Sequence, residues 1–149
     1  MKVLLTGASG QLGQAIINSK PFFVDLIATT RNELDLADYE ACRRVIRQHQ
    51  PDWVINSGAY TAVDKAEDEK DLAMSINAIA PKMFAEELSQ TGGKLLQLST
   101  DFVFDGKQDF PYKTTQEKNP LGVYGATKAA GEDAINEVLG NSNQALIIR

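Results

Sequence analysis

The stretch "TGASGQLGQA", residues 6–15, constrains the fold more than any other part of the chain. It sets Gly7, Gly10 and Gly13 at GxxGxxG spacing, after the apolar run "KVLLT" (2–6) and at the start of "QLGQAIINS" (11–19). In the latter, Leu12, Ala15 and Ile16 recur at helical spacing. Each glycine has a physical use in a strand that turns into a helix. Gly7 permits the tight exit, Gly10 leaves the backbone bare for a pyrophosphate, and Gly13 lets the helix lie close on the sheet. The first helical turn, with Gln11 and Leu12, then aims free N–H groups at an anion. The pattern predicts dinucleotide binding. A tight turn that binds nothing is the alternative.

The rest of the chain alternates strand and helix. Strands are expected at "VDLIATT" (24–30), "NELDL" (32–36), "DWVINSG" (52–58), "GGKLLQLST" (92–100) and "ALIIR" (145–149). Helices are expected from Asp38 to Gln50, over 66–91 and over 123–139, with a long loop at 101–122. Asp38 and Glu40 suit a helix N-terminus, and Pro51 lies just past the end of that helix. Short apolar strands alternating with helices predict an α/β fold, a Rossmann-type doubly wound parallel sheet with helices on both faces. At 149 residues the chain is about one domain. Such sheets bind ligands beyond the carboxyl ends of their strands. The ends that matter are Thr6-Gly7, Thr29-Thr30, Ser57-Gly58-Ala59 and Ser99-Thr100.

The second of these ends bears on the cofactor. An acid about 20 residues after the glycines usually receives the ribose 2′-OH of NAD. Here the chain reads Thr29-Thr30-Arg31. Arg31 is either a partner for the 2′-phosphate of NADP or a plain surface arginine, and Asp35 lies four residues on, towards the adenine side.

Composition excludes other classes. A formal charge of −5 gives no electrostatic reason to bind nucleic acid or an anionic membrane. No apolar run approaches the roughly 20 residues of a membrane span, and the N-terminal run reads as a strand, not a signal peptide. One cysteine and one histidine argue against a disulfide framework and against a zinc site, so no metal is expected and the location is expected to be cytoplasmic. Cys42 reads as a small hydrophobe, His49 as a helix-dipole partner, Trp53 as core, and the run Asp64 to Asp71 as a solvated face.

The stretch "VYGATKAAGED" (123–133) places Tyr124 and Lys128 four residues apart. Alone, such a pair is common. On a helix, however, the two share a face, and this helix follows the strand that ends at Thr100. A ketone reduction needs a hydride at carbon and a proton at oxygen. A tyrosine with a pKa near 10 becomes a better acid beside an ammonium, and a threonine hydroxyl can hold the carbonyl oxygen in line. A nicotinamide would supply the hydride.

On the glycine turn, Thr100, Tyr124 and Lys128, the chain resembles the extended short-chain dehydrogenase/reductases. "NSGAYTAVDKAE" (56–67), "SINAIAP" (75–81), "LSTDFVFDG" (98–106) and "NPLGVYGATKAAGE" (119–132) are similar to the dTDP-4-dehydrorhamnose reductase branch of that family. The resemblance implies reduction of the 4-keto group of dTDP-6-deoxy-L-lyxo-4-hexulose to dTDP-L-rhamnose by NADPH or NADH, NADPH being slightly favoured. It implies Tyr124 as proton donor, Lys128 as the group that binds the nicotinamide ribose and tunes the tyrosine, and Thr100 as the third member. It further implies a cofactor cleft of Gly7, Gly10, Gln11, Leu12, Asp35, Leu36, Ala59, Tyr60 and Thr61, to which Gly13, Arg31 and Ser99 are added from the strand-end reading. Asp64, Lys65 and Glu67 are either part of the loop after the cleft or a solvated helix start. Members of the family run to nearly twice this length. Residues 1–149 are therefore expected to form the NAD(P)-binding domain of a fragment without the C-terminal substrate domain. The exposed edge of the last strand could promote association, and a homodimer is left open. The alternative is a non-catalytic NADP-binding module like the regulatory subunits of methionine adenosyltransferase, against which the intact Thr100, Tyr124 and Lys128 weigh.

Overall fold

The computed structural model describes residues 1–149. Five strands form one parallel sheet: β1 (Lys2–Thr6), β2 (Asp25–Thr29), β3 (Trp53–Asn56), β4 (Lys94–Leu98) and β5 (Ala145–Ile148), in the order β2-β1-β3-β4-β5. The chain leaves β1 towards β2, then crosses back to β3. The topological switch point lies between β1 and β3, and this is where a doubly wound sheet opens a crevice.

Six α-helices connect the strands: α1 (Gln11–Ser19), α2 (Tyr39–His49), α3 (Val63–Ala66), α4 (Lys70–Met74), α5 (Ala80–Thr91) and α6 (Val123–Leu139). Right-handed crossovers put α1 on one face and α2, α5 and α6 on the other. The main core agrees. Leu4, Val54 and Leu95 of the sheet meet Cys42 and Ile46 of α2, Phe84 and Leu88 of α5, and Ile135 and Leu139 of α6, with no residue of α1. Asp38 caps α2 by accepting from Ala41 N at 2.9 Å, and Gln50 closes it in the left-handed region at φ 43°.

The opposite face is covered only in part. Leu5, Ile55, Leu96 and Leu146 stand in register across four strands on that side. Leu5 is fully buried, whereas Leu146 is 49% exposed. This corrects the expectation for Trp53. It sits on the open side, half-buried, with Lys94 Nζ 5.5 Å above its ring, and does not enter the core.

Two expected elements differ. Residues 32–36 form no strand. The backbone N–H and hydroxyl of Thr30 both donate to the Glu33 carboxylate at 2.8 Å, and Asp35 Oδ1 accepts from Ala37 N at 3.0 Å. These local bonds satisfy the backbone in turns. Leu34 and Leu36 are still buried, which is why their alternation imitates a strand. Nor is 66–91 one helix. It breaks after α3, resumes as α4, widens into a π-turn at Ser75–Ile79 and continues as α5. Pro81, near the start of α5, has no N–H to donate to Asn77 O, so the α-helical ladder cannot run through unbroken.

Candidate active site

The glycine turn sits at the switch point. Gly7 has φ 69°, a conformation that a side chain disfavours, and a Cβ there would stand 2.7 Å from Gly58 N. The loops after β1 and β3 can therefore touch backbone to backbone. A Cβ on Gly13 would run into Gly7 O, so α1 lies close against the turn. Gly10 is the N-cap of α1 and offers no side chain, which leaves the first-turn N–H groups without a side-chain cap. A bare helix N-terminus beside a glycine-lined opening fits a pyrophosphate.

That opening is a cleft of about 420 Å³. Gly7, Ser9 and Gly10 line one side, Arg31, Leu34, Asp35 and Leu36 a second, and Ser57 to Ala62 with Ile76 a third. Of the residues named from sequence, Gly7, Gly10, Arg31, Asp35, Leu36, Ala59, Tyr60 and Thr61 line it. Gln11 and Leu12 are exposed on the first turn of α1, outside the lining, and Gly13 lies buried beneath. Ser57 and Gly58, expected at a ligand-binding strand end, line the cleft too, whereas Ser9, Leu34, Ala62 and Ile76 are lining residues that the sequence did not single out. Their position between or beside named ones was the available signal.

Asp64 and Lys65 fall in α3, and Glu67 just after it, outside the cleft lining. Glu67 Oε1 accepts from Val123 N at 2.8 Å, which ties the start of α6 to α3.

A buried polar chain runs behind the cleft. Thr6 Oγ1 accepts from Gly58 N at 3.1 Å and donates to Asn56 Oδ1 at 2.5 Å. Asn56 Nδ2 donates to Gln97 Oε1 at 2.7 Å, and Gln97 Nε2 donates to Leu98 O at 2.8 Å. The same carbonyl accepts from Lys128 Nζ at 2.5 Å. Hydrogen bonds thus connect the loop beside Gly7 to the lysine of α6 along the carboxyl ends of β1, β3 and β4. No buried side-chain polar atom is left without a partner.

Lys128 is only 4% exposed, and burial pushes its ammonium down to about 8, against an upward pull from Glu132. Tyr124 stands one turn earlier, half-buried, its ring edge-on to Phe102 at 5.8 Å. Thr100 caps the 3₁₀ turn Asp101–Val103, its hydroxyl accepting from Phe102 N at 3.2 Å. The amine thus sits at the end of β4, the hydroxyl two residues past it, and the Tyr124 ring against the 3₁₀ turn that follows, and none of the three residues lines the 420 Å³ cleft. Ser99 faces elsewhere: its hydroxyl donates to Glu132 Oε1 at 2.5 Å.

A family model described as the RmlD substrate binding domain matches residues 1–149. The chain belongs to the RmlD family. Its relatives include the dTDP-4-dehydrorhamnose reductase of Streptomyces griseus, 43% identical over 140 residues, a match that takes in 91% of this chain and 45% of that protein. A dTDP-4-dehydrorhamnose reductase structure from Clostridium acetobutylicum superposes with a TM-score of 0.93 at 40% identity, over 100% of this chain and 52% of that one. The Bacillus anthracis reductase, solved in complex with NADP, gives 0.92 at 36% identity over 99% and 52%. The chain thus spans about half the length of the RmlD-family relatives it matches. A Thermus thermophilus UDP-glucose 4-epimerase, TM-score 0.83 at 20% identity, shares the fold.

Proposed function

We propose that residues 1–149 are the NAD(P)-binding domain of a dTDP-4-dehydrorhamnose reductase, which reduces the 4-keto group of dTDP-6-deoxy-L-lyxo-4-hexulose to dTDP-L-rhamnose. The observation that carries this reading is the buried Lys128, its ammonium on the Leu98 carbonyl one helical turn from Tyr124. Relatives bearing the reductase name, at 36–43% identity, support it. The substrate domain would belong to the half of the relatives that this chain does not span.

The pyrophosphate would be held by the glycine turn and the N-terminus of α1, with Gly7, Gly10, Gln11, Leu12 and Gly13 contributing backbone. The adenosine half would lie between Arg31, Asp35 and Leu36 and the loop Ala59-Tyr60-Thr61. When bound, the nicotinamide supplies hydride. Tyr124 donates the proton to the carbonyl oxygen, Lys128 holds the ribose and favours the phenolate, and Thr100 orients the oxygen. The hydroxyl of Ser99, being tied to Glu132, supports that residue's contribution only through its backbone. Arg31 on the cleft wall favours NADPH over NADH. No helix is long and apolar enough to cross a membrane. A cytoplasmic location and a homodimer complete the reading, the first supported by the single buried cysteine and the second by the open sheet face.

Calorimetry of the chain with NADPH and NADH tests the binding half, and the absence of heat from both would remove it. A longer protein carrying this chain, assayed on the dTDP-4-keto sugar, should lose turnover on Tyr124→Phe. An unchanged rate would show that Tyr124 is not the acid.

A further inference from the structure

The carboxylate of Glu132, a residue of α6, is buried outside the candidate cleft and has no part in the proposed reaction. The residue is 1% exposed. Ser99 Oγ donates to it at 2.5 Å, and Arg149 grips both oxygens through Nε at 3.0 Å and Nη2 at 2.7 Å. Lys118 Nζ stands 3.5 Å away. These partners come from the end of β4, the residue after β5 and the long loop. An isolated buried carboxylate is costly, and one gripped from three directions fixes those directions relative to each other.

The geometry links this carboxylate to the candidate catalytic groups. Lys128 and Glu132 are one turn apart on α6 and share a face. Lys128 holds Leu98 O while Glu132 holds the Ser99 hydroxyl, so consecutive turns of α6 grip consecutive residues of the strand end. Thr100 is the next residue. Other charged groups surround α6. Asp133 lies on α6 itself, Lys118 on the loop, Arg149 after β5, Asp101 on the 3₁₀ turn, Asp64 on α3 with Glu67 just after it, and Lys70 and Asp71 on α4. Lys82, Glu86 and Glu87 lie on α5, where both acids are occupied by arginines of α2. Among them Glu132 is the group whose charge acts on Lys128.

We infer that Glu132 is a positioning residue: it locks the strand end that carries Thr100 onto the helix that carries Tyr124 and Lys128, and it sets a carboxylate one helical turn from the Lys128 ammonium. The inference rests on the proposed roles of Thr100 and Lys128.

The test is the NMR titration of the Lys128 side chain in the 149-residue protein, its resonance identified by its loss in Lys128→Met. The unsubstituted chain should titrate near 8. In Glu132→Gln the midpoint should fall further, because the supporting charge is gone while the shape remains. A merely structural role predicts the opposite sign, since a loosened helix would hydrate Lys128 and return it towards its ordinary value. A rise, or no change, therefore overturns the proposal. If Glu132→Gln does not fold, the unsubstituted chain still decides. The carboxyl carbon of Glu132 should show an inflection at the Lys128 midpoint, and a flat profile there overturns the proposal. The titrations are recorded without NADPH, so they stand or fall separately from the calorimetry that tests cofactor binding.

Discussion

The side-chain amide of Asn77 pairs with the backbone of Tyr60 as a neighbouring strand would. Its Oδ1 accepts from Tyr60 N at 2.9 Å and its Nδ2 donates to Tyr60 O at 3.1 Å. The same Nδ2 lies 3.1 Å from the hydroxyl of Thr127, which falls between Tyr124 and Lys128 on α6. One buried residue of the π-turn thus braces the wall of the cleft against the helix that carries the candidate acid.

Removing that brace should cost both stability and binding. Asn77→Ala leaves two backbone groups of Tyr60 without partners, a loss of about 1–3 kcal/mol where they stay dry. Urea denaturation should show the lower midpoint. Calorimetry should show weaker NADPH binding, because the Ala59-Tyr60-Thr61 wall is no longer held. An unchanged affinity would place the brace outside the binding determinants.

Gly125 presents a conflict between propensity and packing. In a helix interior, alanine is normally better than glycine by about 1 kcal/mol. Here a Cβ would run into the carbonyl oxygen of Phe102, because the first turn of α6 presses on the 3₁₀ turn. Gly125→Ala should therefore destabilise, by about 1–3 kcal/mol for overpacking, and should shift Tyr124 against the Phe102 ring it packs on. A rise in thermal midpoint would show that α6 has slack at this point.

The glycine turn and the Tyr124–Lys128 face were legible because each depends on local spacing that only one backbone geometry satisfies. The parallel strands were legible from their apolar runs. Residues 32–36 misled because Leu34 and Leu36 alternate and are buried, while the side chains of Glu33 and Asp35 complete turns that a hydrophobic pattern does not register. The π-turn was invisible for a similar reason: one extra residue per turn scarcely disturbs the period over 66–91. Ser99 was placed correctly at a strand end, but a partner 33 residues away decides where its hydroxyl points. The half-burial of Trp53 depends on which face carries only α1, and that is a property of topology, not of the strand.

Arg31 lines the cleft and is exposed, with no carboxylate within salt-bridge distance. A charge-assisted contact with a 2′-phosphate is worth about 1.5 kcal/mol or more, which is roughly tenfold in affinity. Arg31→Met should weaken NADPH by about that factor and leave NADH unchanged. Equal losses for both cofactors would assign Arg31 to the adenine or to the wall instead.

The open sheet face should make the chain associate on its own. Leu146 and Ile148 are 49% and 44% exposed and adjoin Leu96 and Leu98 in register. A contiguous apolar surface of this kind binds hydrophobic dyes and promotes self-association. Leu146→Lys with Ile148→Thr should reduce both dye binding and the sedimentation coefficient at high concentration. If the double variant associates as before, the contact lies elsewhere on the molecule.

Lys128 should also leave a signature in the pH dependence of stability. Burial lowers its folded value to about 8 from an ordinary value of 10.5. Below about pH 8 both the folded and unfolded chains carry the proton, and the folded one bears the full cost of the dry ammonium. Between these values the unfolded chain binds more protons, so this group's contribution rises with pH until both states are neutral. Cys42 and Tyr60, both pushed up to about 12, act in the other direction above their own ordinary values. Both groups are present in the chain and in Lys128→Met alike, so the difference between the two isolates the lysine. Denaturation of the chain and of Lys128→Met should show a stability difference that narrows as pH rises from about 8 towards 10.5. A constant difference would mean that Lys128 is not desolvated in solution.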